Sequence, residues 1–116
     1  MLRFFSKFFR IKTKELEAKL LPTAECSFGG VGEIELNFFN DGEIRTELSL
    51  KHSGVPDSTN LEFFCDGVLI GTTEVSGGYA KKYETISNRN IKADVGSIAE
   101  LKINGAVLYK GQFRPD

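Results

Sequence analysis

Four glycine-containing turn signals, each set between short apolar runs, constrain this chain more than anything else in it. They are Asn40-Asp41-Gly42, Asp66-Gly67, Gly77-Gly78 and Asn104-Gly105, spread over about 65 residues. Tight hairpin turns need positive φ, which glycine and asparagine adopt at low cost, so such pairs between apolar segments mark antiparallel hairpins. The flanking segments agree. Residues 31–38 (Val-Gly-Glu-Ile-Glu-Leu-Asn-Phe) and 44–51 (Ile-Arg-Thr-Glu-Leu-Ser-Leu-Lys) alternate apolar and polar, as strands with one buried face do. Residues 61–65 and 68–75 form a second expected hairpin, residues 79–85 a further strand, and 99–103 with 106–109 a last hairpin. The longer loops at 53–59 and 87–90 are where the chain is expected to cross between sheets. The expected fold is therefore mainly β, an antiparallel two-sheet sandwich of seven to eight short strands at 23–116.

Residues 1–22 read differently. At 100° per residue, Met1, Leu2, Phe4, Phe5, Phe8, Phe9 and Ile11 fall on one half of a helical cylinder, and Arg3, Ser6, Lys7 and Arg10 on the other. Residues 1–12 are thus expected to form a basic amphipathic helical arm. Residues 13–21 (Thr-Lys-Glu-Leu-Glu-Ala-Lys-Leu-Leu) are expected to form a linker helix that docks through Leu16 and Leu20 and ends at Pro22. Charge is polarised along the chain. Of 15 basic and 16 acidic residues, five basic and no acidic ones lie in residues 1–14, so a +5 leader precedes a −6 body. An acidic body argues against nucleic acid as a partner, which wants a basic stripe across the fold. A Phe-rich basic leader suits an anionic membrane surface, or a groove in a larger membrane-associated complex.

The apolar runs are far too short for the ~20 residues that span a bilayer. Arg3, Lys7 and Arg10 interrupt any signal-peptide core, which leaves a cytoplasmic, peripherally membrane-associated location as the expectation. A transit peptide is the rival reading of the leader, opposed by its single serine. Cys26 and Cys65 stand in no metal-ligand spacing and are expected to be reduced thiols, with a cross-strand disulfide as the alternative.

Catalytic and cofactor signals are thin. His52 is the single histidine and closes an expected strand beside Ser53, with nothing to mark an activated nucleophile. Phe28-Gly-Gly-Val-Gly-Glu33 lacks the Lys-Ser/Thr of a phosphate loop and runs into a strand. Asp41 and Asp66 belong to turns, where an Asx side chain satisfies local backbone donors. Glu33 and Glu35, with Glu43 and Glu47, are expected to make an acidic solvated face. In the pairs Phe38-Phe39 and Phe63-Phe64, neighbouring strand residues point oppositely, so one ring of each faces outward, where the linker helix is expected to cover it. No cofactor, metal or small-molecule substrate is implied, and the chain reads as no enzyme.

Leu36-Asn-Phe-Phe-Asn-Asp-Gly42 and Leu61-Glu-Phe-Phe-Cys-Asp-Gly67 share one pattern 25 residues apart, read as two equivalent hairpins. The run Leu48-Ser-Leu, Gly54-Val-Pro and Asn60-Leu-Glu-Phe-Phe-Cys-Asp-Gly-Val-Leu-Ile-Gly-Thr72, closing with Leu108-Tyr-Lys-Gly-Gln-Phe113, resembles small bacterial β domains of unassigned function. It is also similar to the CHRD-type β-sandwich domain. The resemblance covers residues of about 30–113, implies a fold, and brings no catalytic residues with it.

Two roles compete on these grounds. In the first, the chain is a non-catalytic peripheral membrane or assembly subunit that binds through Leu2, Arg3, Phe4, Phe5, Lys7, Phe8, Phe9, Arg10 and Ile11. In the second, it is a soluble ligand-binding β module whose N-terminal helix packs on its own domain.

Overall fold

The structure is a computed structural model that describes residues 10–87 and 90–116. Those residues form eight antiparallel strands and no helix: β1 (Lys12–Pro22), β2 (Val31–Phe39), β3 (Ile44–Lys51), β4 (Asn60–Cys65), β5 (Val68–Glu74), β6 (Ala80–Ile86), β7 (Ile98–Ile103) and β8 (Ala106–Pro115). The expected hairpins are present, and both copies of the repeated Phe-Phe pattern end a strand and enter a turn.

The first correction concerns residues 13–21, which are strand rather than linker helix. Leu16, Ala18 and Leu20 are buried at spacing two, while Glu15, Lys19 and Leu21 are exposed. The residue types Glu, Lys, Leu and Ala favour helix intrinsically, but that preference is a few tenths of a kcal/mol per residue. Ladders on both sides overrule it: β1 pairs with β2 from Lys12↔Phe39 to Leu20↔Gly32, and with β8 from Leu16↔Pro115 to Pro22↔Tyr109. Residues 12–22 are therefore built into the β domain. The helical arm expected at 1–12 meets described structure only at Arg10, Ile11 and Lys12, none of them helical, and residues 1–9 lie outside the described residues.

The second correction follows from the first. Without β1 the strands would divide into two groups, β5-β4-β7-β8 and β2-β3-β6, as a sandwich requires. With β1 between β8 and β2, all eight join in one sheet of order β5-β4-β7-β8-β1-β2-β3-β6. The sheet curls into a nearly closed barrel. Its free edges, β5 and β6, meet across a seam bridged by Lys82, whose Nζ donates to Thr72 O at 3.1 Å and pairs with Glu84 at 3.1 Å. An inward-pointing charge pair on an edge strand is a known device against edge-to-edge association.

The interior is apolar and close-packed, with Leu20, Ile34, Leu36, Leu48, Leu50, Leu61, Phe63 and Leu101 each fully buried. One mouth is crossed by the β6–β7 connection, where Ile91 and Ala93 are buried and Ala93 O accepts Lys14 Nζ at 2.7 Å. At the other mouth the fully buried Tyr109 donates its hydroxyl to Gly29 O at 2.6 Å. Gly30 enters β2 there at φ 77°, and a Cβ on it would lie 2.0 Å from Lys51 O. Gly30→Ala combines a disfavoured backbone with a clash against main chain. The expected loss is about 2–4 kcal/mol, read as a lower urea midpoint at unchanged m-value.

A candidate interaction site at the capped mouth

The leader joins the barrel at the β2–β3 turn, and the turn chemistry builds the joint. Asp41 Oδ1 accepts the Glu43 N–H at 3.0 Å, the local Asx bond expected of this residue. That bond leaves Asp41 Oδ2 free to face Arg10 Nε at 3.2 Å, while Arg10 Nη2 lies 3.6 Å from Glu43 Oε2. Both nitrogens are shielded from water and held as ion pairs without a well-aligned hydrogen bond. The guanidinium also stacks 4.1 Å from the centroid of the Phe39 ring, which has Arg45 at 5.1 Å as well. One residue on, the Ile11 N–H donates to Asn40 Oδ1 at 3.2 Å, and the Asn40 N–H donates to Ile11 O at 3.0 Å. Five contacts thus hold Arg10 and Ile11 on the β2–β3 turn.

Of the nine residues expected to bind a membrane or partner, Arg10 and Ile11 are described. Leu2, Arg3, Phe4, Phe5, Lys7, Phe8 and Phe9 lie outside the described residues. Arg10 is engaged by its own domain, and Ile11 is 59% exposed. The other leader cations within the described residues are also occupied: Lys12 pairs with Glu15 at 2.9 Å, and Lys14 bonds Ala93 O while lying 4.6 Å from the Phe38 centroid. Asn40 and Glu43, which complete the clamp, carried no signal of that role in the sequence.

A pocket of about 500 Å³ opens beside this joint, lined by residues 38–44 and by Ile91. Phe38, Phe39, Ile44 and Ile91 supply apolar wall, and Asp41 and Glu43 supply negative charge at the rim. The outward rings expected to lie under a linker helix are covered by cations instead. Arg10 and Arg45 flank Phe39, and Lys102 Nζ lies 4.4 Å from the Phe64 centroid.

On the outer face of the barrel, strand register sets Arg114, Glu17, Glu35, Glu47 and Tyr83 side by side across β8, β1, β2, β3 and β6. Three adjacent carboxylates cannot all ionise cheaply. Glu35 resolves the conflict by keeping its proton and donating it to Glu47. That bond, with burial and neighbouring Glu33, pushes the Glu35 carboxyl up to about 8, and the same bond holds Glu47 below its ordinary value. Arg114 neutralises Glu17 with contacts of 3.1 and 3.0 Å, and Lys81 pairs with Glu47 at 3.1 Å. Oxygens of Glu17, Glu35 and the exposed Asp116 lie within 4.8 Å of one another. Glu43, expected on this face, belongs to the leader clamp.

The pH consequence has a definite sign. Between the ordinary Glu value and about 8, folded Glu35 retains a proton that the unfolded chain has released, so stability falls as pH rises through that window. Glu47 acts oppositely, losing its contribution only as pH falls below the ordinary carboxylate range. Glu35→Gln keeps a hydrogen-bond donor and removes the charge. It is expected to stabilise the protein by about 0.5–1 kcal/mol at pH 9, a like-charge cross-strand increment allowing for solvent screening. At pH 5 the variant and wild type should melt together in calorimetry.

The remaining candidates are structural. His52 is exposed at φ 54° and accepts or donates at Nδ1 to the Tyr79 hydroxyl at 2.7 Å. Ser53 is buried, donating to Gly78 O at 2.9 Å and accepting the Val55 N–H at 3.1 Å, so its hydroxyl is spent on loop backbone. Asp66 Oδ1 accepts the Ile98 N–H at 2.8 Å. Cys26 and Cys65 are both free thiols, and burial pushes Cys65 up to about 11. The Phe28–Glu33 stretch is a turn into β2, with no helix behind it. Among the described residues no helix is long and apolar enough to cross a membrane.

Fold and site together define an eight-stranded antiparallel barrel-like domain whose leader is pinned to one mouth. The chain matches no protein-family model and no curated protein sequence.

Proposed function

We propose that this chain is a non-catalytic anchoring module. Residues 1–9 bind an anionic membrane surface, and the barrel is the interaction or scaffold body that they hold there. The observation that carries this reading is the clamp of Arg10 and Ile11 on Asn40, Asp41, Glu43 and Phe39. It gives a short Phe-rich segment a rigid point of departure, so that whatever holds the segment also orients the barrel. Leu2, Phe4, Phe5, Phe8 and Phe9 supply apolar surface, and Arg3 and Lys7 supply attraction to anionic headgroups. The net charge of −6 on residues 15–116 opposes contact of the barrel wall with the same surface, which favours an orientation with the clamped mouth toward the lipid.

The test is co-sedimentation of the full chain with phosphatidylcholine vesicles made with and without phosphatidylserine. Binding is expected to need the anionic lipid and to weaken as salt shortens the screening length from about 10 Å at 0.1 M toward 3 Å at 1 M. A chain that stays in the supernatant with anionic vesicles at low salt overturns the proposal.

A further inference from the structure

We infer that the seam between β5 and β6 is a gate, whose strands part about the Gly77-Gly78 turn while the ladders of the sheet stay closed, with Lys82 as its latch. β5 and β6 follow one another in the chain and run antiparallel, yet they stand at opposite ends of the strand order. The turn between them has the form of a tight hairpin, with Gly77 at φ 62° and Gly78 at φ 78°. It is closed by one bridge, in which the Ser76 N–H donates to Tyr79 O at 2.8 Å and the Tyr79 N–H to Ser76 O at 3.1 Å. A hairpin continued from this turn places Val75 opposite Ala80, Thr73 opposite Lys82 and Gly71 opposite Glu84. The ladder ends instead at that first bridge, so β5 and β6 are the arms of a hairpin that has not zipped.

Both arms are held elsewhere. The Val75 N–H donates to Thr59 O at 3.1 Å, and Val75 O accepts the Ser58 N–H at 2.8 Å. Asp57 Oδ1 accepts the Gly77 N–H at 2.7 Å, so the end of β5 is drawn toward the 57–59 loop. β6 is laddered to β3 from Ile44↔Ile86 to Leu50↔Ala80. Across the gap, side chains take the place of main chain. Lys82 Nζ crosses to Thr72 O, and its partner Glu84 lies over Gly71, where a Cβ would stand 3.8 Å from Glu84 Oε2. The buried Thr46 donates its hydroxyl to Glu84 O at 3.0 Å and so steadies the β6 side of the latch. A part-exposed ion pair contributes little to stability. Parting the seam therefore breaks the Lys82 contacts and no ladder bond, which is the pattern of a local opening below whole-domain unfolding. The bulge between Phe63 and Phe64 gives the β4–β5 pair a place to bend. Open, the two strands present unpaired edges; latched, they face each other across Lys82.

The test is hydrogen–deuterium exchange of the full chain, read by mass spectrometry across a urea series below the unfolding transition. Peptides from β5 and β6 should exchange through an opening with a smaller urea dependence than peptides from β1, β2 and β8. Lys82→Met removes the ammonium and keeps the length of the side chain. It should speed β6 exchange about tenfold, the size of one lost hydrogen bond from a charged donor. It should speed β5 equally, although no ladder joins the two strands. Lys82→Arg keeps a cationic donor and should hold wild-type rates. One urea dependence shared by all of these strands overturns the gate. Acceleration confined to β6 overturns the latch, because simple fraying of an edge strand leaves its neighbour across the seam untouched. Acceleration equal in β1, β2 and β8 is a loss of overall stability and overturns it too.

Discussion

Ala18→Pro is expected to abolish folding of the barrel, although it alters one small residue in a segment whose composition favours helix. Ala18 is fully buried and faces Ile34 on β2 and Phe113 on β8. Proline removes a ladder donor and clashes with local backbone, at a cost of about 3 kcal/mol or more in a regular element. Its ring also overfills a site that holds a methyl group, adding about 1–3 kcal/mol. Against a whole-domain stability of about 5–15 kcal/mol, the sum leaves little or nothing. The effect is amplified by position, because β1 is the strand that joins the two halves of the sheet. The expected readout is loss of the native β spectrum and of any cooperative urea transition. Leu21→Gln, one ladder position before Pro22's pairing with Tyr109 but with its side chain 59% exposed, is expected to stay within about 0.5 kcal/mol of wild type. Were residues 13–21 a docked helix, a proline at 18 would loosen only the linker and leave the hairpins folded.

That contrast also shows where sequence reasoning reached and where it stopped. Hairpins such as Phe39–Glu43 and Cys65–Val68 are written in local chemistry, since positive φ at Gly42 and at Asp66-Gly67 is a requirement of the turn itself. β1 is not written locally. Leu16 and Leu20 satisfy a helical i, i+4 repeat, and Leu16, Ala18 and Leu20 equally satisfy a strand repeat of two. Only pairing with β2 and β8, which lie far along the chain, decides between them. A helix at 13–21 also entails a sandwich, because a chain without β1 has two sheets rather than one. The leader clamp was hidden for the same reason: Ile11 and Asn40 are 29 residues apart, and their contact follows from β1–β2 register. Glu17, Glu35 and Glu47 likewise become neighbours only through register. Glu33 and Glu35 were legible as sharing a face, since both lie on one strand at spacing two.

The second large effect concerns Phe4→Glu with Phe8→Glu, which is expected to lower the partition of the full chain onto anionic vesicles about 100-fold or more. Burying a phenylalanine side chain is worth about 1.5–3 kcal/mol, so losing two removes about 3–6 kcal/mol, and each 1.4 kcal/mol is a factor of ten in binding. Two new carboxylates add repulsion from the anionic surface and cancel the charges of Arg3 and Lys7. The loss therefore has an apolar part that salt leaves in place and an electrostatic part that salt screens. Arg3→Gln with Lys7→Gln isolates the second part: binding should fall about thirtyfold at low ionic strength, near 1 kcal/mol per cation, and converge on wild type as salt rises. Far-UV circular dichroism and the thermal melt of both variants, measured beside binding, separate a loss of attachment from a loss of folding. Equal vesicle binding by wild type and the Phe4→Glu, Phe8→Glu variant would show that the rings contribute nothing to attachment. In that case Arg10, clamped on Asp41 and Glu43, would mark the start of a structural strand and not the root of an anchor.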